Sequence, residues 1–173
     1  MTGDRLPMDG VRRTPDDGSD SGPRGGVVGV IERLWAAGEM PYGDALYRPD
    51  DTALEVHVEG PGAYHPDAGQ PIPFRLGEPV DLARVIEEEG ITEADPYFES
   101  PLPDGSGWLS GGGSGMGNVG YLARLDADRS LRWVAVMWSS NPFVGVRHEG
   151  TTAVFTNDWH NLLTLDLADP AFG

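Results

Sequence analysis

Gly115-Met-Gly117-Asn-Val-Gly120 has the spacing G-x-G-x-x-G, the formal fingerprint of a phosphate-cradling loop. Half of the residues from Gly105 to Gly120 are glycine. A dinucleotide loop needs a strand before it and a helix after it, because the helix N-terminus holds the pyrophosphate. Here the following segment "YLARL" has strand character. A kinase-type glycine loop does lie between strands, but its phosphates need a lysine on the next strand. The chain contains no lysine; all 12 basic residues are arginine. No Gly-Lys-Ser/Thr and no G-x-S-x-G occur. The reading is a tightly turned or mobile entry to a sheet, with no bound cofactor.

Metal chemistry would have to come from His57, His65, His148 and His160, the four histidines. His65-Pro-Asp67 and Asp158-Trp-His160 are short His/Asp pairs. Brought together by folding they would make a His₂-carboxylate site. No H-E-x-x-H supports it, so the expectation is no metal. Asp126-Ala-Asp-Arg-Ser130 begins like a calcium loop but lacks the central glycine and ends on Met137 instead of Glu, so it reads as a hairpin turn. A Ser-His-Asp set has no strained elbow to mark its serine. With no cysteine, disulfides and thiolate catalysis are excluded. No catalytic residue is assigned, and the expectation is a non-enzyme.

What remains chemically distinctive is charge. The chain carries 28 acidic against 12 basic residues, a net of −16 over 173 residues. Such a surface argues against nucleic acid and anionic membranes as partners, since phosphate binding needs a basic footprint. The acids are also unevenly spread. Residues 39–104 hold 16 acids and 3 arginines, a net of −13, whereas residues 119–168 hold 5 acids and 4 arginines. Glu87-Glu88-Glu89 lies at the end of an expected helix, where negative charge opposes the helix dipole at a cost of a few tenths to about 1 kcal/mol per residue. These three and Glu93, Asp95 and Glu99 are the expected partner-binding residues, and a cationic protein is the expected partner.

The elements that position these groups follow from periodicity. Residues 1–25 are rich in Asp, Gly, Pro and Arg without an apolar pattern and read as a disordered tail, leaving 26–173 as one domain. Val27, Val30, Ile31 and Leu34 have helical spacing, with Gly38 placed to end the helix. Ala53 to Val58 alternates as a strand. A second helix starts after an Asp81 N-cap, presents Leu82, Val85 and Ile86, and stops at Gly90. The segment 66–74 reads as a proline-rich loop or edge, and 91–105 as an acidic connection. The acidic helix-and-loop half is thus 39–104, followed by a glycine-rich connector at 105–120.

Over 119–168 five apolar runs separated by turn signals read as an antiparallel β-meander. The strand Leu131 to Trp138 is apolar on both faces, with Trp133, Ala135 and Met137 on one and Val134, Val136 and Trp138 on the other. It must lie centrally with cover on both sides. The two helices would supply one layer, giving an α+β fold: a C-terminal antiparallel meander packed with two short helices from the N-terminal half.

Leu131-Arg-Trp133, Ser140-Asn-Pro-Phe143 and Leu165-Asp-Leu167 carry a resemblance. The stretch from Gly117 to Leu167 resembles small bacterial immunity proteins of polymorphic toxin systems. The resemblance implies a non-enzymatic binder that occludes a cognate toxin and is acidic when that toxin is a basic nuclease. The matched residues are of structural type: Trp133 and Phe143 suit a core, and Asn141 before Pro142 is expected to be extended. No toxin-contacting residue is transferred. With no apolar leader and no membrane-spanning run, the expected setting is cytoplasmic and the expected state monomeric. Two other readings remain open at this level: a small-ligand or metal enzyme using the glycine loop and the His/Asp pairs, and an assembly protein pairing through a sheet edge.

Overall fold

The computed structural model of the chain describes residues 28–59, 65–115 and 117–172. The 1–25 tail lies outside the described residues, as does Val27. In chain order the elements are α1 (Val30–Ala36), β1 (Glu39–Pro41), β2 (Ala45–Tyr47), β3 (Ala53–Val58), β4 (Phe74–Pro79), α2 (Leu82–Glu89), β5 (Ile91–Glu93), β6 (Asp95–Pro101), β7 (Gly107–Gly113), β8 (Gly120–Asp126), β9 (Leu131–Met137), β10 (Phe143–Glu149), β11 (Thr152–Asn157) and β12 (Leu162–Asp166). The fold is α+β and mainly β. Seven strands form one antiparallel sheet in the order β4-β3-β2-β9-β8-β7-β6, β10-β11-β12 form a second, and β1 pairs with β5 in a short ribbon.

β9 is the middle strand of the seven, as its two apolar faces require. Trp133, Ala135 and Met137 pack with Phe143, Ala153, Phe155, Leu163 and Leu165, so the three-stranded sheet covers that side. Val134 and Val136 pack with Ile31, Met40, Tyr121 and Leu82, so α1, the ribbon and α2 cover the other. Full burial of a large apolar side chain contributes roughly 1.5–3 kcal/mol, and β9 spends its apolar residues on two separate cores. The α+β expectation holds in a specific form. Both helices lie in one layer, and the meander divides into two sheets instead of forming one.

The division falls at 138–142, between β9 and β10. Asn141 there has φ 58°, left-handed and not extended as its place before Pro142 suggested. Its backbone N–H donates to the Asn118 carbonyl at 3.2 Å, which holds the corner against the β7–β8 loop. Around the corner is a buried polar cluster. Asn157 donates through Nδ2 to the Ser140 carbonyl at 2.8 Å and accepts at Oδ1 from the Asn161 N–H, also at 2.8 Å. Asn161 accepts from the Gln70 N–H and donates to the His65 carbonyl. Buried amides with partners of this kind tie the two sheets and the 65–72 loop together without leaving polar groups bare.

Two further expectations change. The segment 39–104 is not only helix and loop: it contributes β1 to β6, and β2 joins the central sheet by pairing Leu46 with Ala135 and Tyr47 with Val134. The glycine-rich 105–120 is not a connector either. β7 is a buried strand between β6 and β8, paired from Gly107↔Asp126 to Gly113↔Gly120. Glycine is poor in strands by propensity, and its use here is close approach. A Cβ on Gly112 would lie 1.9 Å from the Asp95 carbonyl oxygen, where β6 bulges between Pro96 and Phe98; one on Gly120 would lie 2.1 Å from the Asn141 oxygen.

Phe172 closes one end of the sheet packing. Its carbonyl accepts from Trp133 Nε1 at 3.1 Å and Arg124 Nη1 at 2.7 Å, and its ring meets Trp133 edge-on at 5.8 Å.

Gly112→Ala must push backbone against backbone and is expected to cost at least about 2 kcal/mol, in the range of core overpacking. Gly115→Ala, with nothing within 4 Å of the added carbon, should stay within about 0.5 kcal/mol. Urea denaturation of the two variants checks both; equal midpoints would contradict the close-approach role.

Candidate functional site

The six acidic residues singled out from the sequence lie on three successive elements, α2, β5 and β6, separated only by Gly90 and Ala94. All six are exposed. α2 forms as expected: Asp81 Oδ1 accepts from the Ala83 N–H at 3.0 Å and the Arg84 N–H at 3.5 Å, and Gly90 ends the helix at φ 86°. No basic residue occupies its last turn. Arg84 bonds Glu88 one turn along at 2.9 Å, an exposed pair of small energetic weight. β5 then pairs with β1, which sets Glu39 directly opposite Glu93. Like charges so placed are destabilising. Among the described residues, no cation lies within 4 Å of the carboxylates of Glu87, Glu89, Glu93 or Asp95.

Of these six residues, Glu88 and Glu89 line one depression and Glu99 another, while Glu87, Glu93 and Asp95 line neither. One, of about 400 Å³, lies beside α2; Glu88 and Glu89 line it with Glu55, Asp81, Arg84 and Val85. Asp44 is an electrostatic neighbour of this hollow. Its carboxyl is pushed up, chiefly by desolvation and further by the Glu89 charge, against the lowering effect of the Trp138 N–H that it binds at 2.6 Å.

The other depression, of about 370 Å³, lies between α1, the ribbon and the β6 edge. α1 is placed there by a distant cap. Its own N-cap, Gly29, has no side chain, and the carboxylate of Asp51 takes the Val30 and Ile31 N–H groups, each at 3.0 Å. At the other end Gly38, at φ 74°, turns the chain and its carbonyl accepts from the Ala94 N–H at 2.8 Å. That bond draws the β5–β6 junction up to the helix end. Trp35, Ala94 and Pro96 make apolar walls, and Glu99 and Arg129 stand at the rim. On the floor Tyr121 meets Trp35 edge-on with centroids 6.0 Å apart. The Tyr121 phenol is pushed up, first by burial and then by the charges of Asp95 and Glu99, with the Ser110 hydroxyl acting the other way. Arg129 is presented by the 126–130 hairpin turn at φ 72°; its guanidinium lies 3.8 Å from the Trp108 ring centroid and 2.7 Å from Glu99.

Sequence reasoning missed Trp35, Ser110, Tyr121 and Arg129 as groove residues, and Asp44 and Glu55 beside α2. Trp35 falls four residues after Ile31, so the helical period could have found it. The others come together only through strand order.

The remaining candidates separate. Antiparallel β7 and β8 flank the glycine motif, Ser114 N–H donates to the Val119 carbonyl at 3.1 Å, and β8 stands where a dinucleotide loop has its helix. The 126–130 turn uses its carboxylates locally: Asp128 accepts from the Ser130 N–H and hydroxyl, and Asp126 pairs with Arg132. The loops carrying the His/Asp pairs do meet, through Gly69 N–H to the His160 carbonyl at 2.8 Å. Within its own loop His65 Nδ1 accepts from the Asp67 N–H. Among the described residues no group of three or more His, Asp or Glu side chains is placed to hold a metal ion.

No family model matches the chain, and no curated protein or solved structure matches it. The fold defines the class: an α+β protein, mainly β, with a seven-stranded sheet between a helical layer and a second sheet. Among the described residues no helix is long and apolar enough to cross a membrane.

Replacing Glu89 with Gln removes a negative neighbour, so the Asp44 pKa should fall. It should not reach the ordinary carboxylate value, because desolvation raises it more than Glu89 does. Carboxyl ¹³C titration of the two proteins measures this; an unmoved Asp44 would separate the two groups.

Proposed function

We propose that this is a non-enzymatic binding protein that captures a basic protein partner and neutralises it by occlusion, in the manner of the immunity proteins that its C-terminal third resembles. The observation that supports the reading is the segregation of charge. The carboxylates of Glu87, Glu89, Glu93 and Asp95, without an ion-pair partner among the described residues, follow one another along α2, β5 and β6, while Arg147 and Glu149 on the second sheet pair with each other. Two of the large apolar side chains left exposed, Ile91 at 46% and Tyr97 at 51%, lie on the same acidic run. An exposed aromatic ringed by charge suits a protein interface, where tyrosine is enriched. The acidic run would also steer a cationic partner, raising association rates by about 10–10³-fold.

In this reading the protein acts in the cytoplasm as a monomer, and its partner is a basic toxin domain. The β6 edge supports a monomer, because Pro96, Pro101 and the bulge between them disfavour edge-to-edge pairing.

The test is co-expression with the toxic product of an adjacent gene. The wild-type chain should restore growth, and Glu87→Lys/Glu89→Lys/Glu93→Lys should abolish rescue, whereas Glu149→Lys on the second sheet should not. The association rate of the purified pair should fall by at least about tenfold between low and moderate salt. Salt-independent association, or rescue by the triple variant, would overturn the electrostatic reading.

A further inference from the structure

At one end of the molecule, turns of the two sheets enclose a pocket of about 260 Å³. The β6–β7 turn contributes Leu102, Asp104 and Ser106, β8 contributes Arg124, and Thr151 and Leu167 come from the second sheet. None of the six acidic residues on α2, β5 and β6 lines it. We propose that this pocket binds a small apolar α-amino acid as its zwitterion, with the carboxylate on Arg124, the ammonium on Asp104 and the side chain against Leu102 and Leu167. The inference is independent of the basic-partner reading.

Three observations select this ligand. The first is an arginine without a counterion. Arg75, Arg84, Arg129, Arg132 and Arg147 each have a carboxylate within 4 Å, whereas Arg124 has none among the described residues. Arg124 is half-buried, and burial first, then the Arg132 charge, pull its pKa below the ordinary arginine value. A charge withdrawn from water is costly unless it is paired. One donor, Nη1, holds the Phe172 carbonyl at 2.7 Å. A guanidinium has five N–H donors in a planar fork that matches a carboxylate, so donors remain for a ligand.

The second observation is an opposite charge in the same lining. Asp104 Oδ1 accepts from the Ser106 N–H at 2.9 Å, and this bond and the Ser106 hydroxyl hold the carboxyl below the usual carboxylate range. Asp104 and Arg124 feel each other's charge but form no ion pair. An anion alone would meet Asp104 and a cation alone would meet Arg124, and like-charge contacts are costly. A zwitterion meets both with the right sign. The third observation is size and lining. The volume falls below the roughly 300–1,000 Å³ of pockets for drug-sized ligands. Leu102, Pro103, Leu167 and Ala168 supply apolar surface beside the two charges. An α-amino acid with a short branched side chain carries these three parts on one carbon. His148, bonded to Ser100 through Nε2 at 3.5 Å, and Thr151 add polar groups to the lining.

The full chain, labelled with ¹⁵N, is titrated with L-valine, with isovalerate, which lacks the ammonium, and with isobutylamine, which lacks the carboxylate. Valine should give saturable shifts at the Ser106 and Thr151 amides and the Arg124 Nε–H, and bind at least about threefold more tightly than either analogue. Asp104→Asn, at an exposed position, should weaken valine by about 3- to 10-fold and leave isovalerate unweakened. Arg124→Gln should remove the saturable shifts of both carboxylate probes, with unchanged amide spectra elsewhere showing that it is folded; if it does not fold, the Asp104→Asn comparison decides alone. If isovalerate binds as tightly as valine and Asp104→Asn weakens neither, the pocket is a simple anion site and the zwitterion assignment falls. If valine gives no saturable shift at these residues up to its solubility, the assignment falls as well. Either failure leaves the reading of the acidic face untouched.

Discussion

β9 is the strand on which the rest depends. A strand with Trp133, Ala135 and Met137 on one face and Val134, Val136 and Trp138 on the other cannot lie at a surface, since either exposed face would forfeit several buried side chains. Both faces therefore demand cover from different parts of the chain. The three-stranded sheet that follows β9 folds back over one. The helices and ribbon that precede it in sequence cover the other. The sandwiched position also explains why β2, only three residues long, can join the N-terminal strands β3 and β4 to the C-terminal ones. It pairs with β9 where both faces are dry and its backbone hydrogen bonds are shielded from water.

Crossing from the first sheet to the second needs a sharp corner inside the protein, and a corner exposes backbone polar groups. The chain meets this with amides and hydroxyls. Ser140, Asn141, Asn157 and Asn161 are all buried, and their side chains or backbone groups bond across the corner. Gly111, Gly112 and Gly113 of β7 and Gly120 at the start of β8 serve the same packing. They let β6 and the corner approach more closely than any Cβ would allow. Within the motif that looks like a phosphate loop, only Gly120 answers to crowding; Gly115 and Gly117 have open space around them, and Gly117 serves a turn at φ 80°.

The six acidic residues singled out from the sequence lie on α2, β5 and β6. Those elements present one face to a core and the other to water, and all six side chains are exposed. Like charges gather there: three glutamates at a helix C-terminus, of which Glu88 pairs with Arg84, Glu39 opposite Glu93, and Asp44 raised chiefly by burial and further by Glu89. Several local rules are thus broken together on one face of the protein.

Much of this was legible in the sequence. The limits of β3 and α2, the Asp81 cap, the turn at Gly38, and the two faces of β9 with cover on each follow from short-range rules: period, capping chemistry and alternation act within a few residues. The six acidic positions were legible too, as charge and exposure. Long-range pairing was not. Nothing local to Leu46 and Tyr47 announces Ala135 and Val134 as their partners. Nothing in "GWLSGGG" announces a buried strand, because its glycines answer to Asp95 and Phe98 across a bulge. The groove joins Trp35, Ala94, Ser110, Tyr121 and Arg129, which no period connects. The sequence by itself determined the class of fold, the central strand and the location of charge along the chain. Only the tertiary structure decided strand order, the split into two sheets and which charges share a hollow. Those outcomes depend on contacts between residues far apart in the chain, which become neighbours only when both faces of β9 are covered.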